Sequence, residues 1–152
     1  MSGVFSLNAN TTGYSNTASG VFSLYANTTG NNNTAYGYMS LQSNTTASYN
    51  TASGYQSMRY NTEGTQNTAY GYSSLYANTT GHYNTASGYF SLYANTTGLR
   101  NIAMGYGALD AADTENDNLA IGHDALGGAI AGGEFNVAIG NYSLDAATSG
   151  DN

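Results

Sequence analysis

The feature that most constrains this chain is a repeat of almost constant length. The pattern Asn-x-Ala-x-Gly recurs at intervals of about 17 residues, and the last interval is one residue longer than the others. The asparagines that open these repeats are Asn16, Asn33, Asn50, Asn67, Asn84, Asn101, Asn118 and Asn136. In solenoid proteins each repeat buries its apolar face only against the neighbouring repeats. This architecture appears in the sequence as a repeat of fixed period. The repeat therefore predicts a stack of similar coils.

The residues inside each repeat favour short strands over helices. Gly, Asn, Thr and Ser recur every few residues, and no copy carries a sustained helical period. A repeat of this length accommodates two strands of roughly five residues and two turns. We therefore predict an all-β fold, a parallel β-solenoid or β-roll of about nine 17-residue coils spaced by ~4.8 Å.

Each position of the repeat has a predicted role, counting the opening Asn as position one. Ala at position three and Gly at position five point to the same side of a strand, which predicts a narrow interior. Leu at position nine, or Met58, fills it, and Asn at positions one and twelve forms amide ladders between coils. Glycines at position fifteen predict a turn that needs positive φ. They are Gly13, Gly30, Gly64, Gly81 and Gly98.

Charge divides the single predicted domain, residues 1–152, into two zones. Residues 1–100 are rich in Tyr, Asn and Thr and contain one acid, whereas residues 101–152 combine aliphatic strands with the other eight acids. The whole chain has two arginines, no lysine and a net charge of −7, which argues against binding to nucleic acid. No apolar run approaches the roughly 20 residues of a spanning helix, so we expect no membrane insertion.

The late strands are apolar on both sides. The repeats there read "NIAMG", "NLAIG" and "NVAIG", whereas the early copies have Thr at position two and alternate Ser with Tyr at position four. A strand that is apolar on both sides is covered on both sides, so we expect a second chain to pack there. The candidate assembly residues are Ile102, Met104, Leu119, Ile121, Val137 and Ile139.

Two motifs carry a resemblance to known families. "NLAIGHDAL" and "NVAIGNYSL" resemble the head repeats of trimeric autotransporter adhesins, the YadA-like heads, although the repeat period of this chain is longer than theirs. The "NTAYGYSSLYANTTG" style is similar to repeats of phage and bacterial tail-fibre proteins. The resemblance covers nearly the whole chain and implies a left-handed β-roll, a homotrimer, and a location outside the cell, on the cell surface or on a virion.

Tyrosines recur at two positions of the repeat and are the candidate ligand surface. Stacked at the coil spacing, they would form aromatic columns that either stabilise the rod or present flat rings to a glycan. The position-six candidates are Tyr38, Tyr55, Tyr72 and Tyr89, with Tyr106 continuing the series. The position-ten candidates are Tyr25, Tyr76 and Tyr93.

The chemistry of catalysis and of metal binding has little support in the sequence. His82 and His123 occupy different repeat positions, and no strained nucleophile motif is present, so we predict neither an enzyme nor a cofactor. The acidic stretch "DAADTENDN" is either a solvated turn or a Ca²⁺ site built from carboxylates. Its candidate ligands are Asp110, Asp113, Glu115 and Asp117.

Three functions fit these features. The first is a structural and adhesive segment of a surface adhesin or tail fibre, a fragment or building block of a longer fibre that meets host glycans or a cell-surface receptor. The second is a self-assembling extracellular filament subunit that stacks head to tail. The third is an ice-binding β-solenoid, for which the regular Thr and Asn ladders are the argument.

Overall fold

The computed structural model describes residues 3–128 and 133–145, and it is a parallel β-solenoid. Eight strands form one parallel sheet, and their order in the sheet follows their order in the chain. They are β1 Thr17–Ser19, β2 Thr34–Tyr36, β3 Thr51–Ser53, β4 Thr68–Tyr70, β5 Thr85–Ser87, β6 Ile102–Met104, β7 Leu119–Ile121 and β8 Val137–Ile139. Successive strands pair in register, so that Ala52 lies between Ala35 and Ala69. The predicted all-β solenoid, with one coil for each sequence repeat, is confirmed.

Strand length differs from the prediction. Each strand-bearing coil has one strand of three residues rather than two longer strands, and the rest of the coil consists of turns and bends. The strand ends at the position-five glycine: Gly71 has a φ of 125°, and a Cβ there would lie 2.5 Å from the carbonyl oxygen of Gly88. Positions seven, nine and seventeen then adopt the left-handed region, with φ between 47° and 64°.

The position-fifteen glycines serve a purpose other than the predicted one. Positive φ is absent at Gly81 and its equivalents, so the expectation of a left-handed turn there is wrong. Space is the reason for glycine: a Cβ on Gly81 would overlap the amide oxygen of Asn78 and lie 2.5 Å from the carbonyl oxygen of Gly98. Glycine leaves room there for the position-twelve amide, but it is not essential, because Asn44 donates to the carbonyl of Ala47 at 3.0 Å in the coil where Ala replaces Gly.

The interior is built from two apolar columns, as predicted. Position three supplies the alanines and position nine supplies the bulk, and both columns are almost fully buried. The alanines are Ala18, Ala35, Ala52, Ala69, Ala86, Ala103, Ala120 and Ala138. The larger residues are Leu24, Leu41, Met58, Leu75, Leu92, Leu109 and Leu126. Burial of these leucines offsets the roughly 1–2 kcal/mol that a left-handed conformation costs each of them.

The position-one asparagines link every coil to the next and close each coil on itself. Asn67 shows the arrangement: its backbone N–H donates to Oδ1 of Asn50 at 3.0 Å, and its Nδ2 donates to the Gly81 carbonyl at 2.8 Å. Its Oδ1 accepts from the backbone N–H of Asn84 at 2.9 Å. The predicted ladder is confirmed, and it continues through Asn136 in the last described coil.

A second amide ladder, at position twelve, stops before the late zone. Asn95 Nδ2 donates to Oδ1 of Asn78 at 2.8 Å, as Asn78 donates to Asn61 at 2.7 Å. The next coil has Ala112 at this position, so no amide reaches Oδ1 of Asn95, which is buried without a hydrogen-bond partner. The ladder therefore ends where the Tyr-rich zone ends.

Candidate functional site

The position-six tyrosines form a continuous column, which we call the Tyr38 column: Tyr38, Tyr55, Tyr72, Tyr89 and Tyr106. Successive ring centroids are 4.8–5.2 Å apart, and the rings are within 16° of parallel. His123 extends the column by stacking on Tyr106 at 4.9 Å. Because neighbouring rings cover one another's faces, the column presents ring edges to solvent. A sugar that stacks on an aromatic face has little access here.

The position-ten tyrosines do not form one column. Tyr76 and Tyr93 stack at 5.0 Å, but Tyr25 lies three coils from Tyr76 and packs edge-on against Phe22. Gln42 and Arg59 occupy position ten in the coils between, where the Arg59 guanidinium donates to the Gln42 side chain at 3.0 Å. The expectation that all three tyrosines stack is therefore wrong for Tyr25.

Phe90 joins the two groups of stacked tyrosines. Its ring centroid lies 4.3 Å from that of Tyr89 and 4.8 Å from that of Tyr93. This contact ties the turn at positions six to ten into one aromatic cluster on the outside of the coils. The cluster explains why these rings are half-exposed but held by several neighbours.

Four other exposed tyrosines lie outside the ligand surface that the sequence predicts. We call Tyr36, Tyr49, Tyr70 and Tyr83 the strand-face tyrosines. Tyr36 and Tyr70 stand at position four of β2 and β4, 48% and 50% exposed, and Ser53 of β3 lies between them. Among the residues that the structure describes, neither ring stacks on another aromatic ring, and each side chain is about half exposed.

The strand-face tyrosines alternate on two sides of a threonine column. Tyr49 and Tyr83, at position seventeen, immediately precede the opening asparagines of the coils that hold β3 and β5, where position four is Ser. The threonine column at position two runs between the two sets: Thr17, Thr34, Thr51, Thr68 and Thr85. The signal in the sequence was the Ser/Tyr alternation at position four, together with the opposite alternation at position seventeen.

The predicted assembly residues lie together on the outward face of β6–β8, and we call them the aliphatic strip. Val137 and Ile139 are 59% and 65% exposed, Ile102 and Met104 are also exposed, and Leu119 and Ile121 are half-buried. The strip continues the sheet face that carries Thr and the strand-face tyrosines in the earlier coils. An apolar patch of this kind is typical of a surface that a partner covers.

The four candidate Ca²⁺ ligands are not brought together. Asp117 forms a two-point ion pair with Arg100, at 2.6 and 2.7 Å, which holds the pKa of Asp117 below its usual value. Glu115 folds back to accept the backbone N–H groups of Asp113 and Thr114 at 2.8 and 3.0 Å. Within residues 3–128 and 133–145, no group of three acids or histidines has the arrangement of a metal site.

Asp110, the fourth candidate ligand, has two other acids, Asp124 and Asp145, as its charged neighbours. Burial and then the charge of Asp124 raise the pKa of Asp110, with a smaller contribution from Asp145. The two histidines have different neighbours. His82 Nδ1 accepts a hydrogen bond from the Thr65 N–H at 2.9 Å, whereas His123 Nδ1 lies 3.1 Å from the Asp124 carboxylate.

Comparison with protein-family models, curated protein sequences and solved structures finds no match for this chain. The resemblance to trimeric autotransporter heads and tail-fibre repeats therefore remains one of motifs. Across the described residues there is also no helix with the length and apolarity needed to span a bilayer.

Proposed function

We propose that this chain is a structural and adhesive segment of an extracellular fibre, on a cell surface or a virion, that presents a repeated surface to glycans. The observation that carries the proposal is the in-register stack: the same side-chain types recur at one-coil spacing along eight paired strands. Hydroxyl and aromatic groups dominate the exposed part of the early coils, which is the chemistry that protein surfaces use for neutral sugars.

Assembly through the aliphatic strip is the second part of the proposal. Exposed aliphatic side chains on three consecutive strands, β6–β8, support association of copies of this chain there, and the motif resemblance favours three copies. Light scattering coupled to size-exclusion chromatography gives the mass in solution. A trimer is expected, and a monomer at micromolar concentration would contradict this part. Head-to-tail stacking of rods stays a prediction, which electron microscopy of the purified chain tests.

Adhesion is tested with an array of neutral, sialylated and sulfated glycans probed with the purified chain. Binding to neutral glycans is expected because the early coils are rich in hydroxyl groups and the chain carries a net charge of −7. An array without any bound glycan would remove the adhesive part and leave a spacer rod. Salt titration of the bound signal separates neutral recognition from charge attraction.

Ice binding is the second candidate, and the threonine column supports it. Thr17, Thr34, Thr51, Thr68 and Thr85 repeat in register along one face. The strand-face tyrosines stand on both sides of that column, which breaks the flat plane that an ice lattice requires. We therefore favour glycan binding, and a measured thermal hysteresis would reverse this preference.

A further inference from the structure

The structure assigns a specific place to the glycan contact: the notch above Ser53, between the rings of Tyr36 and Tyr70. We propose that this Ser53 notch holds one sugar ring of a neutral oligosaccharide, sandwiched between the two tyrosines. The inference rests on the proposed adhesive function and names its site and its ligand class. It differs from the sequence prediction, which placed the ligand on the tyrosines at positions six and ten of the repeat.

The width of the notch follows from the coil spacing. Tyr36, Ser53 and Tyr70 are register partners on β2, β3 and β4, so the backbones that carry the two tyrosines are two coils apart, about 10 Å. In the Tyr38 column, rings one coil apart stack at 4.8–5.2 Å. A ring inserted at the level of Ser53 would therefore stack at this distance on both Tyr36 and Tyr70. The notch is one ring wide.

The floor and the flank of the notch suit a ring that carries hydroxyl groups. Thr51 and Ser53 are half-buried and lie on the outward side of β3, and Thr34 and Thr68 are their neighbours on β2 and β4. Tyr49 stands two residues before the first residue of β3 in the chain and is exposed. These groups donate and accept hydrogen bonds at the edge of a sugar, while the two tyrosine faces cover its apolar sides.

Charge favours a neutral ligand. From residue 15 to residue 87, positions two, four and seventeen carry Ser, Thr, Asn, Gln and Tyr and no charged side chain. Arg59 and Glu63, the charged residues of those coils, occupy positions ten and fourteen of the repeat. With a net charge of −7 for the whole chain, a polyanionic glycan would be repelled without a local cation to hold it.

A sugar fits this notch better than a second copy of the chain does. The notch has a polar floor, whereas the aliphatic strip on β6–β8 has the composition of a subunit interface. The other two serines at position four have a tyrosine on one side only in the described strands. Ser87 lies between Tyr70 and Met104, and Ser19 has Tyr36 as its register partner. Ser53 alone, among the described strands, has a tyrosine on both sides.

The decisive variant fills the notch without removing a tyrosine. Ser53→Tyr places a third ring between Tyr36 and Tyr70 and completes a column like the Tyr38 column, so the fold is expected to persist. The matched control is Gln56→Tyr, which adds a tyrosine in the same coil at position seven, where Phe22 and Tyr142 already adopt the same left-handed φ. Both variants are probed on the immobilised neutral oligosaccharides of the array, with circular dichroism and light scattering as controls of fold and mass.

We expect Ser53→Tyr to weaken binding to the neutral oligosaccharides at least about 10-fold and Gln56→Tyr to leave it unchanged. Tyr36→Ala and Tyr70→Ala each lose about 2- to 10-fold, because each removes one stacking face, whereas Tyr72→Ala in the Tyr38 column has no effect on binding. Tyr36→Phe retains most of the affinity because it keeps the ring.

Each other outcome contradicts the inference in a distinguishable way. Loss of binding in Tyr72→Ala but not in Ser53→Tyr would overturn the notch and leave the adhesive function standing. Binding confined to sialylated or sulfated glycans would do the same. No bound glycan for the wild-type chain would overturn both. A change of mass in Ser53→Tyr would show that a second copy, and not a sugar, occupies the notch.

Discussion

The coils before residue 101 and the coils after it share one backbone but hold it together differently. Both zones keep the position-one ladder, which runs from Asn16 to Asn136. The early zone adds the position-twelve ladder and most of the Tyr38 column, which extends past the boundary only through Tyr106 and His123. The late zone has Ala112 at position twelve and exposed aliphatic side chains on its strands. The difference shows that the solenoid requires one amide ladder. The second ladder and the outer columns are variable, and that variability gives each zone its own surface.

The largest expected effect tests the shared ladder. Asn67→Ala removes one acceptor and one donor from buried backbone groups of Asn84 and Gly81, and we expect the free energy of unfolding to fall by about 2–5 kcal/mol. Asn118→Ala, which breaks the equivalent bonds to Asn136 and Gly133, is expected to cost a similar amount. Urea unfolding followed by circular dichroism measures both. A small loss in one zone only would refute the idea of a common ladder.

The Tyr38 column and the aliphatic strip are expected to differ in their contributions to stability and to association. Tyr72 stacks on Tyr55 and Tyr89, so Tyr72→Ala is expected to lower the free energy of unfolding by about 1–3 kcal/mol without changing the mass in solution. Ile139→Ser, in the aliphatic strip, is expected to change the stability of the isolated chain by less than about 0.5 kcal/mol and to weaken association. Thermal unfolding at low concentration and light scattering separate the two effects. The reverse pattern would mean that the Tyr38 column is the interface.

The stack and most of its interior could be predicted from the sequence, because identical positions in identical coils must share an environment. Ala at position three, Leu at position nine and the two Asn ladders were predictable for this reason. Strand length was not, since Leu75 and Ser73 show no residue preference for left-handed φ. Hydrogen bonds between coils hold them there, from Leu75 N–H to the Ser91 carbonyl at 2.9 Å and from Ser73 N–H to the Tyr55 carbonyl at 2.8 Å.

The candidate site was only half predictable. The repeat period predicted the Tyr38 column correctly. Whether the face of a tyrosine ring is available to a ligand, however, depends on the residue at the same position of the adjacent coil. At position six a ring stands in the next coil, as Tyr55 does beside Tyr38, and at position four Ser53 stands beside Tyr36. The Ser/Tyr alternation contained this information. Its meaning required the stacking distance that the structure supplies.

A third prediction concerns the coil where the two zones meet. Ala112→Asn combined with Glu115→Gly restores the residues that the early coils have at positions twelve and fifteen, and it gives Oδ1 of Asn95 a donor. We expect a free energy of unfolding about 1 kcal/mol above that of the matched double variant with Ala112→Ser, because a buried unsatisfied acceptor gains its bond while both variants lose the Glu115 contacts to Asp113 and Thr114. Ala112→Ser with Glu115→Gly is the control, since it lacks the amide. Urea unfolding midpoints that do not separate the two double variants would contradict the ladder account.

The smallest effect is a dependence on pH in the acidic late zone. The pKa of Asp110 is raised in the folded chain by burial and by Asp124, so its charge opposes folding at neutral pH, and this penalty is relieved as pH falls through the raised pKa. Asp110→Asn is therefore expected to raise the free energy of unfolding at pH 7 by about 0.5 kcal/mol. The variant is also expected to lack the increase in stability that the wild-type chain shows on mild acidification. Asp117, whose pKa is lowered by Arg100, acts in the opposite sense. Its ionised form stabilises the folded chain above the pKa that it has in the unfolded chain, and this stabilisation is lost as pH falls through the lower pKa of the folded chain. Melting temperatures from pH 3 to 8, at low and high salt, measure both.

The alternation of Ser and Tyr at position four sets the step by which such a rod can grow. Tyr36 and Tyr70 are separated by two coils and not one, so the surface has twice the period of the backbone. Inserting one coil lengthens the rod by ~4.8 Å but puts Ser beside Ser or Tyr beside Tyr at the join. Inserting two coils lengthens it by ~10 Å and leaves the pattern in phase. A gene that lengthens this solenoid while keeping its surface must therefore add coils in pairs.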